Sequence, residues 1–237
     1  MGRSLCNSCS DKPCGTGWTT GNALSVLSFQ EGLYPVTTLS LFMPSPNPYE
    51  QFYVRLRFER EGLFRLLARL YKIRSVYYPC CSFHITPSFF FDRVYYLDKS
   101  DGVARFFADR ALIDGIIRRR GENSRASWEF VHADVYNTGS SIPPVDMLLS
   151  LFGGDHLEHS QRYLRKGGYV VTSSEFSGRD FLEGNPSYRK LTELALRSGE
   201  YRVLAGEDML RRNRKNFTKD LVFRDTAIYS VYVRERY

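Results

Sequence analysis

The chain has 237 residues, of which 43% are hydrophobic and 25% charged, and its formal net charge is +7. This length is sufficient to bury the core of one sizeable α/β domain, and the composition excludes a disordered or collagen-like chain. No run of about 18 apolar residues occurs, so we expect no transmembrane helix and no membrane partner. The N-terminal residues lack the charged, apolar and small-residue order of a secretory signal, and we therefore expect a cytoplasmic protein.

Part of the positive charge lies in two short clusters, residues 118–120 and 211–215. Such clusters permit contact with nucleic acid, but no recognised nucleic-acid motif accompanies them. Clusters of this size are more typical of solvated helix ends and surface loops. We therefore rank nucleic acid below a small-molecule or protein partner.

The five cysteines are an odd number, which does not indicate a disulfide framework. Cys6, Cys9 and Cys14 form a C-x2-C-x4-C pattern that offers three thiolates to zinc, but no fourth ligand is evident nearby. Free thiols are therefore favoured over a metal site. These cysteines belong to residues 1–48, which are rich in Gly, Ser, Thr and Pro and predict an irregular N-terminal arm. Residues 49–237 are expected to form the folded domain.

Helices and strands alternate along the predicted domain. The spacing of apolar residues predicts helices over residues 49–71, 100–120, 155–164 and 188–197, with a short helix starting at residue 86. Runs of β-branched, aromatic and other apolar residues predict strands over residues 74–78, 93–97, 128–132, 145–151, 169–173, 201–205 and 226–233. The alternation favours an α/β fold with a doubly wound, mostly parallel sheet.

Residues 74–98 are the segment most informative about function, because two predicted strands enclose a loop of small residues there. Cys80, Cys81 and Ser82 stand where the glycines of a G-x-G-x-x-G pattern would fall, so the loop lacks the strict dinucleotide-binding motif. An ordinary β-α-β corner explains the same residues, and the sequence leaves both interpretations open.

Two features nevertheless indicate a ligand at this loop. Thr86 followed by Pro87 predicts a helix start, with the threonine hydroxyl as N-cap and proline at the first helical position. Free N–H groups at such a start favour an anionic or electron-rich ligand. Asp98 ends the second strand, where nucleotide-binding α/β folds place a carboxylate that binds ribose hydroxyls. The alternative is that Asp98 caps the next helix.

Five segments taken together, YYPCCSFHITPS, YYLD, FVHAD, VDMLLSLF and YLRKGGYVV, resemble a class I S-adenosylmethionine-dependent methyltransferase. More narrowly, HITPSFFF and RYLRKGGYVVTSSE resemble a prokaryotic branch of that superfamily with a divergent first cofactor loop. The resemblance covers about residues 50–237. It implies a Rossmann-like sheet of seven strands with the last strand antiparallel. It also implies S-adenosylmethionine as cofactor, lying across the C-terminal ends of the first, second and fourth strands.

The resemblance also implies roles for individual positions. The loop 79–88 would pass the methionine part of the cofactor, Asp98 would bind the ribose hydroxyls, and Asp134 would bind the adenine amino group with Ala133 supplying backbone. Residues at the end of the fourth strand would line the methyl-transfer side. The implied cofactor-binding residues are Pro79, Cys80, Cys81, Ser82, Thr86, Asp98, Ala133, Asp134, Leu151, Phe152 and Gly153.

Methyl transfer to an acceptor that the sequence does not identify is the leading functional hypothesis. The candidates for a catalytic base near strand ends are His156 and Glu175, together with His159 and His84, although a lone histidine is more often structural. One alternative is a non-catalytic nucleotide- or partner-binding protein on the methyltransferase fold. Another is an RNA-modifying methyltransferase that grips phosphates through its basic clusters. No N-P-P-Y-like tetrad follows the fourth strand, where the sequence is SLFGGD, and this disfavours amino-group methylation of bases.

Overall fold

The computed structural model of the protein describes residues 46–123, 126–137, 139, 142–152, 155–173, 178–204 and 228–235. The predicted arm therefore lies almost wholly outside the described residues, and Cys6, Cys9 and Cys14 lie outside them too. The arm, the domain boundary and the metal hypothesis all stay predictions.

One mixed sheet dominates the described residues, and the predicted α/β class is confirmed. Its order is β3-β2-β1-β4-β5-β8-β6-β7, in which β1 to β5 are mutually parallel and β8 is antiparallel to β5. The strands are β1 (Ser75–Pro79), β2 (Arg93–Asp98), β3 (Ser127–His132), β4 (Val145–Ser150), β5 (Leu164–Ser173), β6 (Tyr188–Arg197), β7 (Glu200–Val203) and β8 (Ile228–Arg234).

Helices pack on this sheet and are mostly short. They are α1 (Glu61–Leu70), α2 (Asp101–Ala108), α3 (Arg110–Arg120), α4 (Leu157–Ser160) and α5 (Gly178–Glu183). A π-helical turn occupies Glu50–Val54, and 3-10 turns occupy Thr86–Phe89 and Gln161–Tyr163. Across the described ranges, no helix combines the length and apolar character needed to cross a membrane.

The central strand β4, VDMLLS, is apolar at four of its six positions, and every one of its residues is buried. Met147 packs into one hydrophobic core and Leu148 into the other, as expected of a strand covered on both faces. Asp146 is its one charged residue, and its Oδ2 accepts hydrogen bonds from the backbone N–H groups of Arg74 and Ser75 at 2.7 and 3.0 Å. The buried carboxylate thus fastens β4 to the start of β1.

The described residues form eight strands rather than the seven that the resemblance implies, because residues 188–197 form β6 where the sequence predicts a helix. The chain turns from β6 into β7 at Ser198 and Gly199, whose φ angles of 51° and 84° suit a tight hairpin. β6 also pairs along its length with β8. Backbone pairing on both sides therefore outweighs the helix preference of the leucines, glutamate and alanine in this segment.

The predicted helix 49–71 is also interrupted. Arg57 and Arg60 adopt left-handed backbone conformations with φ of 54° and 57°, so the π-helical turn is separated from α1. Leu63 and Leu67 are buried as expected, whereas Phe52 is 51% exposed. Because of this break, the residues before α1 do not continue the buried helical face that the sequence predicts.

The predicted helices 100–120 and 155–164 are likewise divided. Asp109 ends α2 and caps α3, since its side chain accepts a hydrogen bond from the backbone N–H of Leu112 at 3.0 Å. In the second case a single turn of α-helix passes through a 3-10 turn into β5, which begins at Leu164.

Candidate functional site

The strand order of the sheet reverses between β1 and β4, because β2 and β3 follow on one side and β4 and β5 on the other. In open α/β sheets, ligands bind in the crevice that such a reversal leaves outside the carboxyl ends of the strands. The loops that follow β1 and β4 both start at this edge. The candidate site is therefore built around these two loops and the ends of β2 and β3.

The loop after β1 makes a glycine-like turn without glycine. Cys80 and Ser82 have φ angles of 53° and 52°, which is the left-handed region that glycine adopts most easily. A side chain in that region costs about 1–2 kcal/mol per residue. Two hydrogen bonds offset part of this cost, from Cys81 N–H to the carbonyl of Leu97 at 3.2 Å and from Ser82 N–H to Oδ2 of Asp98 at 2.9 Å.

A cavity of about 250 Å³ lies where β1, β2 and β3 end. We call it the carboxylate cavity. Its lining residues are Cys80, Leu97, Asp98, Lys99, Ala133, Asp134, Val135 and Tyr136. The structure thus brings together four of the residues to which the resemblance assigns cofactor binding.

Asp98 and Asp134 give this cavity its acceptor character. Oδ1 of Asp98 accepts from the Ser100 N–H at 2.9 Å, in addition to the bond from Ser82 to Oδ2. Asp134 accepts from the backbone N–H of Tyr136 at 3.0 Å, and this bond, with the nearby Lys99 ammonium, holds the pKa of Asp134 below its usual range. Each carboxylate retains unused lone pairs, because an ionised carboxyl group can accept about four hydrogen bonds.

The thiol of Cys80 contributes a neutral wall rather than a nucleophile. Burial raises its pKa to about 11, so the thiol remains protonated near neutral pH. Together with Leu97 and Val135 it gives the carboxylate cavity an apolar side. A ligand with a flat apolar ring and with hydroxyl and amino groups that donate hydrogen bonds would fit these apolar walls and carboxylates.

A second cavity, of about 280 Å³, borders the same loop at Ser82. We call it the aromatic cavity. Its lining residues are Phe52, Tyr53, Phe58, Ser82, Phe83 and Phe152. Two of the residues assigned to the cofactor, Ser82 and Phe152, therefore lie here, one from each of the loops at the strand-order reversal.

Three walls of the aromatic cavity come from the segment before α1, which sequence analysis does not assign to the site. The density of aromatic residues in QFYVRLRF is the signal that could have indicated them. Arg60, which is 4% exposed, places its guanidinium 3.7 Å from the ring centre of Phe58 and 4.9 Å from that of Phe152. Its Nε donates a hydrogen bond to the hydroxyl of Tyr229 on β8. Arg60 thereby connects two walls of the cavity to the sheet.

Arg120 holds the same segment at its other side. Its Nη2 donates to carboxylate oxygens of Glu59 and Glu61 at 3.0 and 2.9 Å. Tyr49 donates a hydrogen bond to Glu59 as well. One arginine of the basic cluster 118–120 is thus engaged within the fold. The cluster 211–215 lies outside the described residues.

Four of the proposed cofactor residues, Pro79, Cys81, Thr86 and Leu151, are buried and line neither cavity. The predicted N-cap role of Thr86 is wrong, because the cap position is Ile85 and the Thr86 hydroxyl lies 3.1 Å from the hydroxyl of Tyr49. These residues support the loop from beneath. Gly153 lies outside the described residues.

His156, a candidate base, belongs to a closed hydrogen-bond network. Its Nε2 lies 3.1 Å from the carbonyl of Phe152, so Nε2 carries a proton, and Nδ1 then accepts from the Ser160 hydroxyl at 3.1 Å. Burial lowers its pKa, so the imidazole is neutral. The residue is fully buried and steadies the loop after β4. Glu175, the other candidate, lies outside the described residues.

No protein-family model matches the chain, and no curated protein matches it. Solved structures that match include an O-methyltransferase from Bacillus cereus in complex with SAH, with a TM-score of 0.49, 9% identity and coverage of 82% of this chain and 94% of that one. The N-methyltransferase NodS from Bradyrhizobium japonicum matches with a TM-score of 0.48, 9% identity and coverage of 77% and 98%. An rRNA methylase from Streptococcus thermophilus matches with a TM-score of 0.45, 12% identity and coverage of 74% and 94%. All three are methyltransferases, the class that the sequence segments resemble; likeness at this level assigns no substrate or residue role to this chain.

Proposed function

We propose that the protein transfers a methyl group from S-adenosylmethionine to an acceptor at the carboxyl edge of its sheet. The observation that carries the proposal is the carboxylate cavity. There Asp98 and Asp134, from the ends of the adjacent strands β2 and β3, lie beside the glycine-like loop after β1. Three of the segments that carry the sequence resemblance, YYLD, FVHAD and VDMLLSLF, end at this same edge.

The residues present fit the adenosyl part of the cofactor. Asp98 has lone pairs left for two ribose hydroxyls, and Asp134 has lone pairs left for an amino group. Leu97 and Val135 offer apolar walls to a purine ring. When bound, the cofactor supplies an electrophilic methyl group on a sulfonium. The protein then has to bind the cofactor and the acceptor, orient them toward each other and exclude water.

The two loops at the strand-order reversal have different roles, one at the cofactor and one at the acceptor. The left-handed turn at Cys80 and Ser82 fixes the loop after β1 against Asp98, so the cavity wall is formed before a ligand arrives. Phe152, from the loop after β4, and Ser82 both border the aromatic cavity, where an acceptor would meet the methyl group. The aromatic walls there give the acceptor side of the site an apolar surface.

The alternatives have less support. An RNA-modifying enzyme would use its basic clusters to grip phosphates, but Arg120 is already paired with Glu59 and Glu61. A non-catalytic protein would keep the carboxylate cavity and lack a use for the neighbouring aromatic one. We therefore favour methyl transfer to a small molecule or to a side chain of a protein.

Calorimetric titration of the full chain tests the proposal. We expect S-adenosylmethionine and S-adenosylhomocysteine (SAH) to bind with micromolar affinity, and NAD and ATP to bind at least tenfold more weakly. The physical reason is that the loop after β1 lacks the glycines that let a backbone approach phosphates closely, and both control ligands carry phosphates. Absence of SAH binding, or equal affinity for ATP, would remove the basis for the proposed activity.

A further inference from the structure

The aromatic cavity has an unusual composition for its size. Five of its six described lining residues are aromatic, and Ser82 is the exception. Its volume is about 280 Å³. Since a dry apolar cavity of about 150 Å³ binds benzene, this space suits a two-ring planar molecule. Aromatic walls favour such a molecule over a flexible aliphatic chain, because stacked and edge-to-face contacts add to the burial of apolar area.

Several rings of the aromatic cavity are already ordered by contacts with neighbouring rings. The rings of Phe52 and Phe83 are stacked, with centroids 5.7 Å apart and planes inclined by 14°. Phe52 nevertheless remains 51% exposed. The Tyr53 ring is in turn stacked on the buried His84 ring at 4.4 Å and 2°. Because the rings are already ordered by these contacts, a flat ligand would immobilise few side chains on binding.

The part of the lining that the structure describes offers no strong base. None of the lining residues that the structure describes is an Asp, Glu, His or Lys. Burial raises the pKa of Tyr53 to about 12, so its phenol is protonated near neutral pH. An aliphatic alcohol or a naphthol would need a base to take its proton before or during attack. An aromatic amine carries its lone pair when neutral, and a thiol ionises into water close to neutral pH.

From these observations we infer that the acceptor is a planar two-ring aromatic amine or thiol, an inference that rests on the proposed function. In the transfer step the lone pair of the acceptor nitrogen or sulfur forms a bond to the methyl carbon. The methyl–sulfur bond breaks at the same time, and its electron pair remains on sulfur as a neutral thioether. A methylated amine then releases one proton to water, whereas a thiolate needs no further proton transfer. Phe52 and Phe83 hold the ring system.

The test uses 2-naphthylamine, 2-naphthalenethiol and 2-naphthol as probes, with cyclohexylmethylamine as the non-planar control. Naphthalene fluorescence measures the binding of the three naphthyl probes to the full chain at saturating SAH, and displacement of a bound naphthyl probe measures the binding of the control amine. Product analysis measures methyl transfer from S-adenosylmethionine. We expect the naphthyl probes to bind, the amine and thiol to be methylated, and the naphthol to react at least 100-fold more slowly. Equal rates for the naphthol, equal binding of the non-planar amine, or competition between SAH and the probes would each overturn the inference.

A pair of variants on one segment sharpens the test. Phe52→Ala removes a cavity wall, and Leu56→Ala removes a residue of the same segment that does not line the cavity. Both side chains are exposed, by 51% and 37%, so neither change should prevent folding. We expect probe affinity to fall about tenfold in Phe52→Ala, with loss of one aromatic contact, and to stay unchanged in Leu56→Ala.

Titration with SAH separates this inference from the proposed function. Both variants should bind SAH as the parent chain does, because neither residue lines the carboxylate cavity. If the parent chain binds SAH but not the probes, the inference about the acceptor is wrong and the proposed function stands. If the parent chain does not bind SAH, the proposed function fails, and the acceptor role fails with it.

Discussion

Replacement of Asp98 by alanine is expected to weaken SAH binding about 100-fold. In the proposed site the Asp98 carboxylate accepts hydrogen bonds from two ribose hydroxyls. Hydrogen bonds to a charged group contribute about 1.5–3 kcal/mol each, and about 1.4 kcal/mol corresponds to a factor of ten, so losing both gives at least this reduction. Calorimetric titration of the variant and the parent chain with SAH measures the change directly.

Asp98 also has a structural role that the experiment must separate from binding. Its two oxygens accept backbone hydrogen bonds from Ser82 and Ser100, so the alanine variant should lose about 3 kcal/mol of unfolding free energy, the low end for two such bonds because the Ser100 bond is exposed. Asp92→Ala is the matched control. It removes a carboxylate just before β2, at the opposite edge of the sheet, together with one side-chain hydrogen bond from Asn123 at 2.7 Å. We expect Asp92→Ala to bind SAH normally; parent-like binding by Asp98→Ala would refute the ribose assignment.

Acid is expected to destabilise the protein through His84. This residue is fully buried; its Nε2–H donates to the carbonyl of Glu59 at 2.9 Å, and its Nδ1 accepts from the Tyr78 hydroxyl at 3.0 Å. Burial, with a smaller contribution from the nearby Arg60 charge, lowers its pKa from 6.5 to about 3. The unfolded chain therefore takes up a proton below pH 6.5, whereas the folded chain stays unprotonated until about pH 3.

The stabilisation is fully present above pH 6.5 and is lost as the pH falls toward 3, with a slope of about 1.4 kcal/mol per pH unit. Between pH 7 and pH 5 this amounts to about 2 kcal/mol of unfolding free energy. The lowered pKa of His156 acts in the same direction.

Urea unfolding at the two pH values, compared between the parent chain and His84→Gln, measures this contribution. The variant should be less stable at pH 7 but should lose about 2 kcal/mol less on acidification, because glutamine does not titrate. Identical pH dependence in His84→Gln and the parent chain would show that His84 is not the group that titrates on unfolding.

The parts of the fold that follow from strong local patterns were predictable from the sequence. β4 is one, because the mostly apolar run VDMLLS favours a strand covered on both faces. The proximity of Asp98 and Asp134 is another, since carboxyl ends of neighbouring parallel strands meet at one edge of a sheet. The sequence misassigned residues 188–197 because they are rich in helix-forming side chains, and their strand state depends on pairing with distant β8.

The aromatic cavity was not predictable for a similar reason. It exists because Arg57 and Arg60 turn the chain through left-handed conformations, and neither is a residue type that signals such a turn. The same holds for Cys80 and Ser82, whose conformations are stabilised by contacts with the end of β2 rather than by their own preference. Local sequence records residue preference, whereas these positions are fixed by tertiary contacts.

The central claim is that Asp98 and Asp134 hold the adenosine part of a methyl-transfer cofactor. A crystal structure of the full chain grown with SAH tests it most directly. We expect the ribose hydroxyls within about 3 Å of the Asp98 carboxylate and the purine between Leu97 and Val135, with its amino group directed at Asp134. SAH bound away from the carboxylate cavity, or in it with the ribose turned from Asp98, would contradict the claim.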